Sequence, residues 1–368
     1  MAVFSVLGAL DIVIGNRLGL GKQFERGLKM FGTLALSMMG MIVLAPLIAH
    51  FLFPAIKSLS GVIPFEPSVV VGSLFANDMG GANLAMEFAG TEELGYYNGL
   101  VVGSMMGATV SFTLPFVLST VKTEQQKNLL LGIMCGICAI PVGCFVAGLI
   151  AGISALTVLW DLIPLLIFSA ILVFGLFKFP KASVKIFRAF GTFIKILVTV
   201  GLSIGLTEFL LGKDFVPYTA PIEEGVAIVF NIAAVMTGAF PLVYLLSKAL
   251  HKPLKKLGEK VGINEASALG FTATLATSIS TFESMKDMDE RGVLLNSAFA
   301  VSAAFTLADH LAFTLSFNAA YVLPVIVGKL VSGAVALFLA WLAFCRRKGK
   351  AEKENAESSE ICFTKSEK

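Results

Sequence analysis

Phe75-Ala76-Asn77-Asp78-Met79-Gly80-Gly81-Ala82-Asn83-Leu84 is the stretch on which the fold turns. It sits in the middle of a long apolar segment, residues 67–90, and interrupts it with a carboxylate, two amides and a Gly-Gly pair. A continuous lipid-spanning helix has no use for such a break. Gly80-Gly81 permits a sharp backbone turn, and irregular backbone at membrane depth survives only against protein or a water-filled cavity. The rest of the chain says that a membrane is the right medium. Of 368 residues, 56% are hydrophobic and 14% charged, against about 25% charged in soluble proteins. Phe occurs 31 times and Gly 35 times, with a net charge of only +3. This composition excludes a disulfide scaffold, a nucleic-acid binder and an ordinary soluble enzyme.

A crossing helix needs about 20 mainly apolar residues. The reading is all-α: a polytopic membrane protein of about nine spans plus two re-entrant broken-helix segments. The spans are 2–15 (short), 31–53, 97–121, 129–152, 155–176, 189–211, 225–246, 294–316 and 322–344. The second broken segment is 266–285. With both broken segments returning to the side they entered and a cytoplasmic C-terminus, twenty-one Lys and Arg fall in cytoplasmic loops. Only Lys57 and Lys213 fall outside, as the positive-inside rule requires.

Displacing the chain on itself by 195 to 199 residues aligns Pro46 with Pro241, Glu66 with Glu265, Gly72 with Gly270, Asn98 with Asn296 and Ser104 with Ser302. Five crossings separate matching spans, so the halves are expected to be inverted-topology repeats, an architecture of secondary transporters with the site between repeats. The expected organisation is a short N-terminal span and loop (1–24), repeat 1 (25–152), two connecting spans (153–221), repeat 2 (222–346) and a disordered cytoplasmic tail (347–368).

Asp78 is the first candidate for chemistry, because an ionisable group inside a membrane segment is expensive; capping the half-helix that starts near Gly80 is an equal alternative. Asn77 and Asn83 flank it. In the second broken segment, Thr277, Ser278, Thr281 and Glu283 either satisfy broken backbone or meet a polar solute, with backbone satisfaction favoured for most. In span 294–316, Asn296, Ser302 and Asp309 stand out. Ser302 and Asp309 are two helical turns apart and are expected on one face, with Asp309 serving the pathway rather than pairing with Lys329 or Lys195. His310 is a gating or proton-linked candidate. Gly99, Gly103 and Gly107 are read as helix packing. Cys135 and Cys138 are read as packing residues, no catalytic or metal site is assigned and no cofactor is expected. Two membrane aspartates also admit a remote alternative, an intramembrane aspartyl hydrolase.

With these motifs in view, the chain resembles the EutH-type ethanolamine permeases. The resemblance is carried by Gln23-Phe24-Glu25-Arg26-Gly27, Ala45-Pro46-Leu47-Ile48-Ala49-His50, Asp78-Met79-Gly80-Gly81, Gly103-Ser104-Met105-Met106-Gly107, Asn296 to Phe305, Asp309-His310 and Ile326-Val327-Gly328-Lys329-Leu330. It implies uptake of ethanolamine across the bacterial cytoplasmic (inner) membrane, in service of ethanolamine utilisation, by facilitated diffusion or ion-coupled alternating access. The alternative is an ion-coupled carrier of another small polar metabolite. The implied partners are ethanolamine and the lipid bilayer, without nucleic acid and with room for a homo-oligomer. A primary amine stays protonated near neutral pH, as lysine does. Asp309 or Asp78 is therefore expected to meet the ammonium, and the hydroxyls of 277–284 or Asn77, Asn83 and Asn296 the alcohol.

Overall fold

The computed structural model describes residues 1–60, 65–120 and 125–366; the side chains of 53, 55–60, 118–120, 257 and 347–366 lie outside the description. Expectations that fall on Lys57, Lys122 and the side chains of the tail therefore lie outside the described residues. Among the described residues the chain is helical with no strands.

Helix α1 (Ala2–Val13) is about 18 Å long at 1.5 Å per residue. That is shorter than the roughly 30 Å core of a bilayer, where the sequence leads one to expect a short first span. It folds back instead. The Asp11 carboxylate accepts from the backbone N–H groups of Leu18, Leu20 and Gly21 at 2.8–3.0 Å and so builds the turn into α2 (Leu20–Leu34). A π-helical turn, Ala35–Met39, joins α2 to α3 (Gly40–Ser60).

The first broken segment is a hairpin. Helix α4 (Pro67–Leu74) stops at extended Phe75, a 3-10 turn spans Asn77–Met79, and α5 (Gly81–Phe88) returns from Gly80, whose φ is +80°. Its two ends meet: the Glu66 carboxylate accepts from the Gly90 N–H at 2.7 Å. Helix α6 (Glu92–Tyr96) then leads through π-helical segments Tyr97–Gly107 and Thr109–Thr113 into α7 (Leu114–Thr120). The glycine stripe of this composite helix packs as expected. Gly99 lies on Ala82, Gly103 on Asn77 and Gly107 on the Phe75 carbonyl, so its bare backbone lines the hairpin from base to tip.

Helices α8 (Gln126–Ile150), α9 (Ala155–Lys178) and α10 (Pro180–Leu211) follow. The last two expose rows of large apolar side chains such as Phe174, Phe177, Ile186 and Phe193, a lipid-facing surface. Helix α11 (Ile222–Val261) leads to the second hairpin, made of α12 (Glu265–Ala276) and α13 (Ser278–Glu283). Its base closes as the first does: the Asp289 carboxylate accepts from the Asn264 N–H at 3.0 Å and from the Ser267 hydroxyl at 2.6 Å.

Where a single span was expected at 294–316, the structure has two half-helices, α14 (Glu290–Ala303) and α15 (Asp309–Phe317). Phe305 between them has φ +61°. The unwound link pairs with the second hairpin, Phe305 N–H to the Thr274 oxygen at 3.1 Å and Leu307 N–H to the Leu275 oxygen at 2.9 Å. Those bonds satisfy backbone that lipid cannot. Helix α16 (Val322–Ser366) closes the chain. Its backbone is helical through 347–366, where the sequence suggests a disordered tail; the Ala, Glu and Lys found there are good helix formers.

Seven described helices are long and apolar enough to cross a membrane; the split helix and the short α1 account for the rest of the nine expected spans.

The hairpins oppose each other. The helix that leaves the first hairpin's base at Glu92 ends beside the second hairpin's base, with the Phe116 ring tilted against Phe282 at 6.3 Å and the Gln125 amide donating to the Met285 oxygen at 2.7 Å. Conversely, α14 starts at the second base, and the far end of α15 reaches the first: Phe317 contacts Tyr96 at 6.1 Å, and the Tyr321 hydroxyl donates to the Glu93 oxygen at 3.0 Å. The two tips therefore approach one another in the interior.

Candidate functional site

A cavity of about 380 Å³ lies at those tips. Its floor is Ala76, Asp78 and Met79 from the first hairpin, Ala276, Thr277 and Ile279 from the second, and Phe305, Asp309 and His310 from the split helix. One wall is α2 and its π-helical extension, through Arg26, Met30, Thr33 and Ser37. Arg26 to Ser37 is eleven residues, about 16 Å of helix, so the cavity runs from exposed Arg26 down to the carboxylates. The Arg26 guanidinium stands over the Phe240 ring at 4.8 Å at that mouth. Phe112 and Phe305 meet edge to face at 5.7 Å, and Phe305 lies 5.2 Å from the His310 ring. The floor is thus acidic and its walls are aromatic.

Both carboxylates are held by irregular backbone. Asp78 lies in the 3-10 turn of the first tip. The first amide of the tip, Ala76 N–H, donates to the Ser111 hydroxyl at 3.1 Å, and Ser111 donates on to the Gly107 oxygen. Asp309 opens α15 immediately after the unwound link. The two carboxyl groups come within hydrogen-bonding reach of each other, and each keeps one oxygen, Oδ1, without a hydrogen-bond partner. The capping alternative for Asp78 is not realised, since α5 begins at Gly80 with no side-chain cap.

Behind the carboxylates lies a lysine. Lys329 on α16 is 1% exposed; its ammonium donates to the Ser104 oxygen at 2.6 Å and lies 3.0 Å from His310 Nδ1. A charged Lys329 can only donate, so opposite it Nδ1 accepts and the ring proton resides on Nε2. That nitrogen lies 4.0 Å from Asp78 Oδ1. Lys329, His310, Asp78 and Asp309 thus form a continuous polar chain contributed by three elements. Sequence reasoning treated Lys329 only as a structural partner for Asp309; a lysine in mid-span was the available signal. Lys195, the other suggested partner, is exposed on α10.

Of the other sequence candidates, Thr277 alone joins Asp78, Asp309 and His310 on the cavity. The expected common face of Ser302 and Asp309 does not exist, because the helix unwinds between them. Ser302 is fully buried with an unpartnered hydroxyl, as is Ser278. Asn77 is fully buried against Gly103 with its amide unpartnered. Thr281 shares a hydrogen bond with Thr274 at 2.8 Å and donates to the Gly270 oxygen at 3.2 Å, serving the hairpin itself. Asn296 donates to the Ser267 and Gly292 oxygens at 2.9 and 3.0 Å, a clamp on the second hairpin. Asn83 is half-buried and does not line the cavity, and Glu283 is exposed. The hydroxyls that do reach the cavity include two that the sequence did not single out, Thr33 and Ser37.

Comparison with known proteins bears on the whole chain. The family model described as "Ethanolamine utilisation protein, EutH" matches residues 1–343. A Listeria monocytogenes protein named "Probable ethanolamine permease EutH" is 44% identical over 358 residues, covering 97% of this chain and 96% of that protein. Proteins of the same name from Salmonella typhimurium and Escherichia coli are each 37% identical over 364 residues, covering 92% of this chain and 89% of theirs. No solved structure matches the chain. With nearly its full length matched at these identities, the chain belongs to the EutH family of ethanolamine utilisation proteins.

Proposed function

We propose that this chain carries ethanolamine across the bacterial inner membrane into the cytoplasm. The observation that carries the reading is the meeting of Asp78 and Asp309, from opposed halves of the chain, on the floor of one cavity walled by aromatic rings. A primary ammonium loses its water there in exchange for carboxylate oxygens, with the nearby rings of Phe112 and Phe305 adding cation–π attraction. Thr277, Thr33 and Ser37 supply hydroxyls for the alcohol end. Two carboxylates repel an anionic solute, which weighs against a carrier of carboxylic acids. The names borne by the similar Listeria, Salmonella and Escherichia proteins support the same substrate.

Alternating access between inverted repeats is the mechanism that the geometry favours. Asn98 and Asn296, aligned by the internal repeat, do the same work in their halves: Asn98 donates to the Ser68 hydroxyl and Asn296 to the Ser267 oxygen, both at 2.9 Å. Gly72 and Gly270, aligned likewise, each make room for the facing asparagine. With the basic loops cytoplasmic, the mouth at Arg26 faces the cytoplasm and the cavity corresponds to an inward-open state.

The test is uptake of labelled ethanolamine by proteoliposomes holding the wild type, Asp78→Asn or Asp309→Asn. Removing a charge-assisted contact costs about 1.5–3 kcal/mol, so each variant is expected to raise KM by about tenfold or more, with ethanolamine recovered chemically unchanged. Correctly inserted variants with unaltered KM and rate would overturn the site.

A further inference from the structure

We propose that the site holds one exchangeable positive charge at a time, a proton or the substrate's ammonium, and that transport therefore swaps protonated ethanolamine for a proton. The inference rests on the reading that Asp78 and Asp309 receive the ammonium.

Counting charges leads to it. Asp78 and Asp309 face each other across the cavity floor. Lys329 is buried behind them with its ammonium fixed on the Ser104 oxygen and on His310 Nδ1. Among the described residues, two further titratable groups face this chain: Cys144 on α8, beside Lys329, and Arg26 at the mouth, where water screens it. With His310 neutral, as its acceptance from Lys329 requires, one fixed positive charge opposes two carboxylates. Ionising both with nothing bound leaves an uncompensated charge inside the membrane, which is costly. A proton shared between the carboxyls removes it, and so does an alkylammonium ion. Lys329 carries the same primary ammonium group as the substrate, but its anchorage on Ser104 and His310 keeps it on the far side of the carboxylates.

When ethanolammonium arrives, its N–H groups donate to the carboxylates. The O–H bond within the pair breaks, and the proton passes to water in the cavity. After releasing the substrate into the cytoplasm, the empty pair takes a proton from that side, carries it outward on the return stroke and gives it up there when the next substrate binds. One cation moves inward and one proton outward, so no net charge crosses.

Purified protein in detergent and weak buffer, with a pH-indicating dye, reads the step directly. Ethanolamine hydrochloride adjusted to the same pH is expected to release about one proton per molecule bound, with binding measured in parallel by calorimetry. In proteoliposomes, wild-type uptake should be unchanged by an imposed inside-negative potential. Asp309→Asn leaves one carboxylate against Lys329, so the empty site is neutral without a proton; release per molecule bound should fall toward zero, binding should weaken, and the residual uptake should become potential-dependent. Wild-type binding without proton release, or uptake that accelerates with potential, overturns the exchange but leaves the ethanolamine site standing. Absence of ethanolamine binding overturns both.

Discussion

Gly107 has no room for a side chain. A Cβ there would overlap the Phe75 carbonyl and lie 2.6 Å from the Gly72 oxygen, and all of these are backbone atoms that set the first hairpin's tip. Gly107→Ala is therefore expected to lower the melting temperature in detergent by several degrees and to weaken ethanolamine binding. Gly32 is the control: a Cβ there meets nothing within 4 Å, and Gly→Ala in a helix is worth roughly 0.5–1 kcal/mol. Gly32→Ala should leave the melting temperature unchanged or raise it. Asp78 and Gly80-Gly81 were legible because carboxylate and glycines are out of place in an apolar run. Thr33 and Ser37 were not, since a hydroxyl in a membrane helix commonly returns to its own backbone, as Ser37 does to the Thr33 and Leu34 oxygens.

Each hairpin survives as an element because its neighbours satisfy what it breaks. The asparagine clamps are the clearest case. Asn98 ties α4 through Ser68 and reaches α9 through Asp161 at 3.1 Å, whereas Asn296 ties only α12 and its own helix. Replacing either with Leu leaves a buried polar partner unsatisfied, at about 1–3 kcal/mol. Hydrogen exchange should then rise over 66–90 for Asn98→Leu and over 264–289 for Asn296→Leu, each in its own half. Exchange that rises equally in both hairpins would show that the clamps are not local. The split between α14 and α15 was invisible to periodicity, because Ala304-Phe305-Thr306-Leu307 contains neither Gly nor Pro. Its cause is tertiary: the second hairpin offers the Thr274 and Leu275 oxygens to the unwound link.

Across the whole molecule, the two hairpin bases lie at opposite ends of the helices that connect them. In a cysteine-free background, single cysteines at Gly90 and Asp287 are expected to react with an impermeant reagent from opposite compartments, Asp287→Cys from the cytoplasm. Labelling of both from one side would dissolve the opposed arrangement and the alternating access built on it. Sequence alone determined the apolar medium, the two broken segments and Asp78 and Asp309 as candidates, because hydropathy, helix-breaking residues and the cost of burying a carboxylate act locally along the chain. Only the tertiary structure decided that α1 folds back, that 294–316 is split, that most of the polar candidates brace the hairpins, and that Lys329 stands behind His310. Those outcomes depend on which backbone groups and charges end up facing one another across hundreds of residues, and no local pattern encodes that.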